Sequence, residues 1–301
     1  RLQLSNGAVV LSFSSDGCLV GLENAHTGRQ YIQSLVGGAR AMPFQLLLLA
    51  QDKAEMRAGP EEMRLVSPPA LTEAPNGGIR ASFAFASVLA ATEEYDLRLE
   101  YAVTLLPGDN ETYWEISLTN ADEQLVVESV LFPYVHGVQL SRGGAEEALL
   151  FPYYAGIRVP AFLATAQKNM TQPSEGAVFR PVRHLADGFV YERPYCGQAS
   201  MPWLDLHSAS NGLYLASYDP SLAYTTLTAM ADPEAECSGL AISKHVGLAA
   251  SGAGWRSALY GLGLHNGDWH WGADRYRSWA ERHMQPPRVP DWFRCRHALM
   301  A

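Results

Sequence analysis

YDLRLEYAVTLLPGDNETYWEISLT, residues 95–119, decides the fold class. Its two runs, 95–106 and 112–119, alternate apolar and polar residues with the period of two that turns one side of a strand to a core and the other to water. Both are longer than the five or six residues of a common strand. The pattern recurs at 79–86 (IRASFAFA), 125–135 (LVVESVLFPYV), 213–218, 223–231 and 256–265. At 8–23 (AVVLSFSSDGCLVGLE) it is broken by Asp16-Gly17, a hairpin signal. Long antiparallel strands in this number predict an all-β fold of two large stacked sheets around one core. No short internal repeat is visible, which disfavours a propeller.

Composition agrees with this. The chain has 301 residues, 48% hydrophobic and 18% charged, a globular balance that fits one large domain with an appendage. A net charge of −9 offers no basic stripe, so no nucleic acid partner is expected. The longest apolar run, FQLLLLA at 44–50, falls far short of the roughly 20 residues of a membrane span and reads as a buried strand. No signal-peptide pattern opens the chain and residue 1 is Arg1, so the expectation is that it was processed, trimmed or excised from something longer. Compartment stays open, with a lean towards export. Cys18, Cys196, Cys237 and Cys295 are widely spaced without a CxxC pair. That argues against a zinc site, leaves three possible disulfide pairings, and favours packed thiols for most of them. No metal and no cofactor are expected. Asn110 and Asn169 each begin an Asn-x-Ser/Thr triplet, a match too short to specify a compartment.

Two regions depart from the strand pattern. Residues 136–202 are rich in Pro, Gly and aromatics (FPYYAGIRVP, YERPYCGQASMPW) and read as a long loop of the kind that carries function or packs on a partner. The closing segment 267–284, GDWHWGADRYRSWAERHM, changes to a helical period. On a wheel Trp269, Ala273, Tyr276, Trp279, Ala280, His283 and Met284 share one arc about 140° wide, and Asp268 is placed to cap the start. Trp271 falls outside that arc, nearly opposite Trp269. Two readings follow: a connector whose two faces meet two bodies, or an ordinary C-terminal helix lying on the sandwich with Trp271 half exposed. Three prolines within 286–290 then end the helix and stiffen the chain. The predicted organisation is a sandwich over 1–266, a helix over 267–285 and a Pro-rich lead-in over 286–301.

The best local site candidate is MPWLDLHSASNGLYLASYDP, residues 201–220. Asn211-Gly212 predicts a two-residue hairpin loop, which pairs His207 with Ala216 and Asp205 with Tyr218. Pleat alternation puts Trp203, Asp205, His207, Tyr214 and Tyr218 on one face and Leu204, Leu206, Leu213 and Leu215 on the other. The leucines belong to the core. The polar and aromatic face suits a sugar, with rings against C–H groups and a carboxylate accepting from hydroxyls; a solvated face, or one covered by a partner, is the plainer alternative. His136, His184, His265 and His270 have no second ligand at a metal spacing, and no GxSxG, P-loop or HExxH occurs. No carboxylate pair is assigned a catalytic role.

A family resemblance adds to this reading. LSNGAVVLSFSSDGCLVGLENAHTGRQYI at the start resembles the first strands of the galactose-mutarotase-like β-supersandwich that begins many multidomain glycoside hydrolases. YAVTLLPGDNETYWEISLTNADEQLVVESVLFPYV is similar to its central strands, with Leu118-Thr119-Asn120 followed by a strand ending in an aromatic and Pro. YCGQASMPWLDLHSASNGLYLASYDPS and GDWHWGADRYRSWAERHM…PDW resemble a hydrolase-like family in which the helix links the sandwich to a TIM barrel. The resemblance implies that the catalytic carboxylates sit on that barrel, for which the residues after Met284 are too few. It makes this chain a non-catalytic module that buttresses a C-terminal barrel. Tyr195 to Trp203, including Met201, with Tyr153 and Tyr154, become candidate carbohydrate contacts, and Trp269, Trp271, Tyr276 and Trp279 candidate domain-interface residues. True mutarotases use a His and a Glu around a T-H-P-Y-F type motif, whereas FPYVHGVQL displaces His136. Two alternatives stand beside this: a stand-alone mutarotase or polysaccharide lyase with His136 or His207 as general base, and a glycan- or protein-binding module of a larger assembly.

Overall fold

A computed structural model of the chain describes residues 1–32, 42–50, 55–90, 93–171, 183–185, 188–249, 252 and 254–284. The fold is all-β, with two large antiparallel sheets face to face. The larger sheet is built around the hairpin of the opening stretch, Glu93–Leu105 with Glu111–Asn120. It continues through Gly78–Ala90 on one side and through Leu259–His265, Gly212–Tyr218, Trp203–His207 and Ala148–Phe151 on the other. The second sheet runs Gly188–Tyr195, Thr225–Asp232, Cys237–Leu248, Leu125–Val138, Gln45–Ala50. A smaller four-stranded sheet, starting at Leu2–Ser5, contains the hairpin Val9–Phe13 with Leu19–Asn24.

Aromatic rings tie the three sheets together. Phe83 and Tyr101 stack at 4.5 Å with planes 11° apart. Phe132 reaches across from the second sheet to Tyr101, Trp114 and Tyr260 at 5.9–6.1 Å. Phe13 closes the cluster from the small sheet, 4.8 Å from Phe83. All six are essentially inaccessible to water, and burial on this scale stabilises each ring by roughly 2–3 kcal/mol. The predicted Asp16-Gly17 turn has a second job: Gly17 (φ +82°) turns the hairpin and accepts a 2.6 Å hydrogen bond from the Tyr101 hydroxyl. A side chain there would stand 2.9 Å from the Phe85 ring.

Three expectations need correction. Residues 136–202 are not one loop: they hold strands Ala148–Phe151, Ile157–Val159, Arg183–Leu185 and Gly188–Tyr195 and the helix Phe162–Thr171. Most of these are too short to show a period, and Pro and Gly separate them. The strand Cys237–Leu248 gave no alternating signal because its first six residues are buried on both faces. The 201–220 hairpin has a longer loop than predicted: Asp205 faces Tyr214 and His207 faces Gly212, with Ser208–Asn211 forming the turn. This register differs by four residues in the pair sum, an even number, so the same side chains share each face. The lead-in 286–301, with Cys295, lies outside the described residues, as do the side chains of Asn169 and His184. Cys18 and Cys237 are buried, Cys196 is exposed, and none of these three is in a disulfide.

Candidate functional site: a polar sheet face sealed by the closing helix

The five strands at one end of the larger sheet present a mixed polar and aromatic outer face. Strand pairing sets its rows: Leu150, Asp205, Tyr214, Gly263 and Glu111 lie side by side, and His207, Gly212 and His265 form the next row. The closing helix, His270–His283, lies on top. The N-cap is Trp269 and not Asp268 as the wheel predicted; Asp268, one residue earlier, accepts a 3.0 Å hydrogen bond from the His270 backbone N–H, and the His270 ring on the same carboxylate holds its pKa below the usual range. Tyr276, Trp279 and Gly272 face the sheet. Tyr276 stacks on Tyr218 at 6.4 Å, and Trp279 packs on the same ring at 5.2 Å.

Beneath the helix sit two buried polar groups of side chains. Asp205, wholly inaccessible, accepts from the Nδ1–H of His207 at 2.7 Å and from the Nε2–H of His265 at 2.8 Å. The second group centres on Glu111, which accepts a 2.5 Å hydrogen bond from the Tyr218 hydroxyl. Arg275 reaches down from the helix to Asp109 and lies 3.9 Å from Glu111. Burial outweighs these favourable partners and pushes the Glu111 carboxyl up to about 7. Burial and the adjacent Glu111 raise the Tyr218 hydroxyl as well, keeping it a donor.

Glycines make room for these groups. A Cβ on Gly212 would lie 1.9 Å from the His265 ring, and one on Gly261 would lie 2.0 Å from Glu111. On the helix, a Cβ at Gly272 would meet Tyr214 at 2.5 Å. The helix can therefore sit close enough for Trp271 to lie flat on His265, 5.2 Å between centroids and 13° between planes, with Arg275 over the same indole at 5.0 Å.

Trp271 thus points to the sandwich, where the helical wheel had turned it away. The wheel was centred on the large apolar residues, but the point of closest approach is Gly272, which has no side chain to register. Trp271 remains half-buried, as does Trp269, while Tyr276 and Trp279 are buried. All four interface candidates lie against this chain's own sheet.

The predicted sugar-contact residues separate into two groups. Trp203, Asp205, His207, Tyr214 and Tyr218 come together as foreseen, but all are at most 5% exposed and form the seat of the helix, closed to any ligand in this arrangement. The second group stays at the surface. Tyr154 is 61% exposed and Met201 38%, with Tyr153 and Tyr195 half-buried beside them. Tyr153 and Tyr195 both bridge to Ala199, Tyr153 packs on Tyr154 at 4.5 Å, and Met201 accepts the Trp203 indole N–H at 3.4 Å. Tyr224, 59% exposed, and Leu222 lie beyond Cys196, whose thiol donates to the Leu222 carbonyl at 2.9 Å. Sequence reading missed Glu111, Asp109, Arg275 and the role of His265. Their partners lie up to 166 positions apart in the chain, and only strand order unites them.

Solved structures share this architecture. The alpha-N-acetylgalactosaminidase NagBb of Bifidobacterium bifidum matches 94% of this chain over 39% of its own, with TM-score 0.61 and 11% identity. The galactose mutarotase related enzyme of Lactobacillus acidophilus matches 88% of this chain and 97% of its own, with TM-score 0.51 and 9% identity. The fold is the galactose-mutarotase-like supersandwich. An alpha-galactosidase from Lactobacillus brevis matches 94% of this chain over 42% of its own, with TM-score 0.54 and 9% identity. The chain therefore spans about two fifths of the two glycosidases. No family model and no curated protein matches it.

Proposed function

We propose that this chain is the sandwich module of a glycoside hydrolase-like protein. It seats a connector helix, buttresses a catalytic barrel, and offers carbohydrate contacts along the rim Tyr153, Tyr154, Tyr195 and Met201. The observation that carries the proposal is the helix seat. A surface helix needs only an apolar stripe, whereas this one is fixed by a part-buried Arg–carboxylate contact, a ring stacked on His265 and a glycine at closest approach. Fixing a helix so firmly makes sense when its far end must hold a second body in register. The presence of the same fold in longer glycosidases supports this reading.

The test has two parts. A longer chain carrying the sequence that follows Ala301 is expected to hydrolyse nitrophenyl α-galactoside or α-N-acetylgalactosaminide, while residues 1–301 alone do not. Tyr154→Ala in that longer chain is expected to raise KM with little change in kcat. Hydrolysis by residues 1–301 alone would end the proposal.

A second reading, a self-sufficient sugar epimerase, draws on the Lactobacillus acidophilus likeness, which spans nearly all of that chain. His207 does not suit a general base, since it is buried and already donates to Asp205. His136 is half-buried. Polarimetry of fresh α-galactose, comparing the unaltered chain with His136→Ala, decides: no acceleration over buffer removes this reading.

A further inference from the structure

On the far side of the molecule, the outer face of the second sheet brings His136 together with two side chains of a hairpin about a hundred residues further along the chain. His136 lies at an irregularity in the strand Leu125–Val138, just before Gly137 (φ +76°). Asp232 ends one strand and Cys237 begins the next, and the two residues face each other across the ladder. One donor atom from each of the three falls within 4.8 Å of the other two.

We propose that His136, Asp232 and Cys237 form a binding site for a zinc-like divalent cation. Histidine nitrogen, carboxylate oxygen and cysteine sulfur are each zinc ligands, and donors in a tetrahedral site stand about 3.5 Å apart, within reach of small side-chain rotations here. The strands already hold the ligands. Two backbone N–H groups, from Glu234 and Ala235, donate to Asp232 Oδ1 at 3.0 and 2.9 Å and fix the carboxylate. Gly239 has no side chain, and a Cβ there would stand 2.9 Å from the His136 ring, so the ring can lie over the strand that carries Cys237.

On binding, the metal–sulfur bond replaces the S–H bond, and the proton leaves to solvent. Asp232 is 7% exposed and Cys237 inaccessible, while His136 is half-buried and leaves one side open. The site therefore suits three protein ligands and one exchangeable position. The spacing argument against zinc fails here because the ligands come from three strands and not from one knuckle.

Cobalt(II) titration of the full 301-residue chain tests the proposal. Expected are a thiolate-to-cobalt charge-transfer band saturating at about one ion per chain, its displacement by zinc, and release of about one proton per zinc ion. Cys237→Ser is expected to abolish the band and His136→Ala to weaken binding at least tenfold. Cys196→Ser leaves both unchanged. Gly239→Ala, which displaces the imidazole, is expected to weaken binding as His136→Ala does. Circular dichroism checks that each variant folds; if Cys237→Ser does not, the half-buried His136 position carries the test. Absence of the band in the unaltered chain, its survival in Cys237→Ser, or its loss in Cys18→Ala with retention in Cys237→Ser overturns the assignment.

Discussion

The strands Trp203–His207 and Gly212–Tyr218 have two faces that are both buried by opposite means. Inward, Leu204, Leu206, Leu213 and Leu215 join the common core, where any well-packed hydrophobe of similar volume would serve. Outward, the same strands bury a carboxylate between two imidazoles and, two strands further, a second carboxylate beneath a helix. That face depends on partners and on gaps where glycines stand. The difference shows that burial alone does not identify a core: one face is held by volume, the other by pairing.

The sharpest way to break this comparison is Asp205→Ala. Leaving two buried imidazoles without their acceptor is expected to cost about 3–5 kcal/mol in urea unfolding, at least as much as the about 2–5 kcal/mol of Leu206→Ala on the inner face. A cost below about 1 kcal/mol would reduce the triad to a surface-grade contact.

Next in size is the pH response of Glu111. Its carboxyl is raised from 4.5 to about 7 in the folded chain, so between those values the folded state holds a proton that the unfolded state releases. Its contribution is therefore most favourable below about pH 4.5, declines as pH rises to about 7, and is level above that, spanning at most about 3 kcal/mol. Glu111→Gln is expected to remove this component from a plot of stability against pH. A plot that Glu111→Gln leaves unaltered would show that the helix seat does not hold the proton.

Gly212→Ala is expected to cost about 1–3 kcal/mol by overpacking against His265. Because the conflict is with one ring, Gly212→Ala should cost far less when introduced into a His265→Ala chain than into the unaltered one, and an equal cost in both places the strain in the backbone instead. The smallest effect belongs to Trp271→Ala, about 1–2 kcal/mol from its stack on His265 and its contact with Arg275. It should appear as faster amide exchange in the first turns of the helix, with the leucine face unaffected.

How much of this was legible follows from the same contrast. Period-two alternation reveals a strand with one dry face, and that is why residues 95–119 yielded the large sheet and the fold class directly. Face sharing in the 201–220 hairpin was also readable, since pleat parity survives an even change of register. What stayed hidden depended on groups remote in sequence. Asn211-Gly212 resembles a tight turn, yet Gly212 is needed opposite His207 because His265 fills the space where a side chain would be. Trp271 was turned the wrong way because Gly272, the contact point, has no hydrophobicity to count. The fully buried start of Cys237–Leu248 displays no alternation at all.

The glycines beneath the helix have a consequence for how substitutions in this chain would be interpreted. Gly7 and Gly28 turn the backbone left-handed over open space, and asparagine can adopt that conformation. Gly212, Gly261, Gly263 and Gly272 have no left-handed backbone to maintain; what they exclude is a single methyl group. A saturation library should therefore divide its glycines into two classes, one tolerating asparagine better than alanine and one rejecting both. The second class would also include Gly59, Gly78 and Gly239 elsewhere in the fold, and its members Gly212, Gly261, Gly263 and Gly272 mark where the helix is seated.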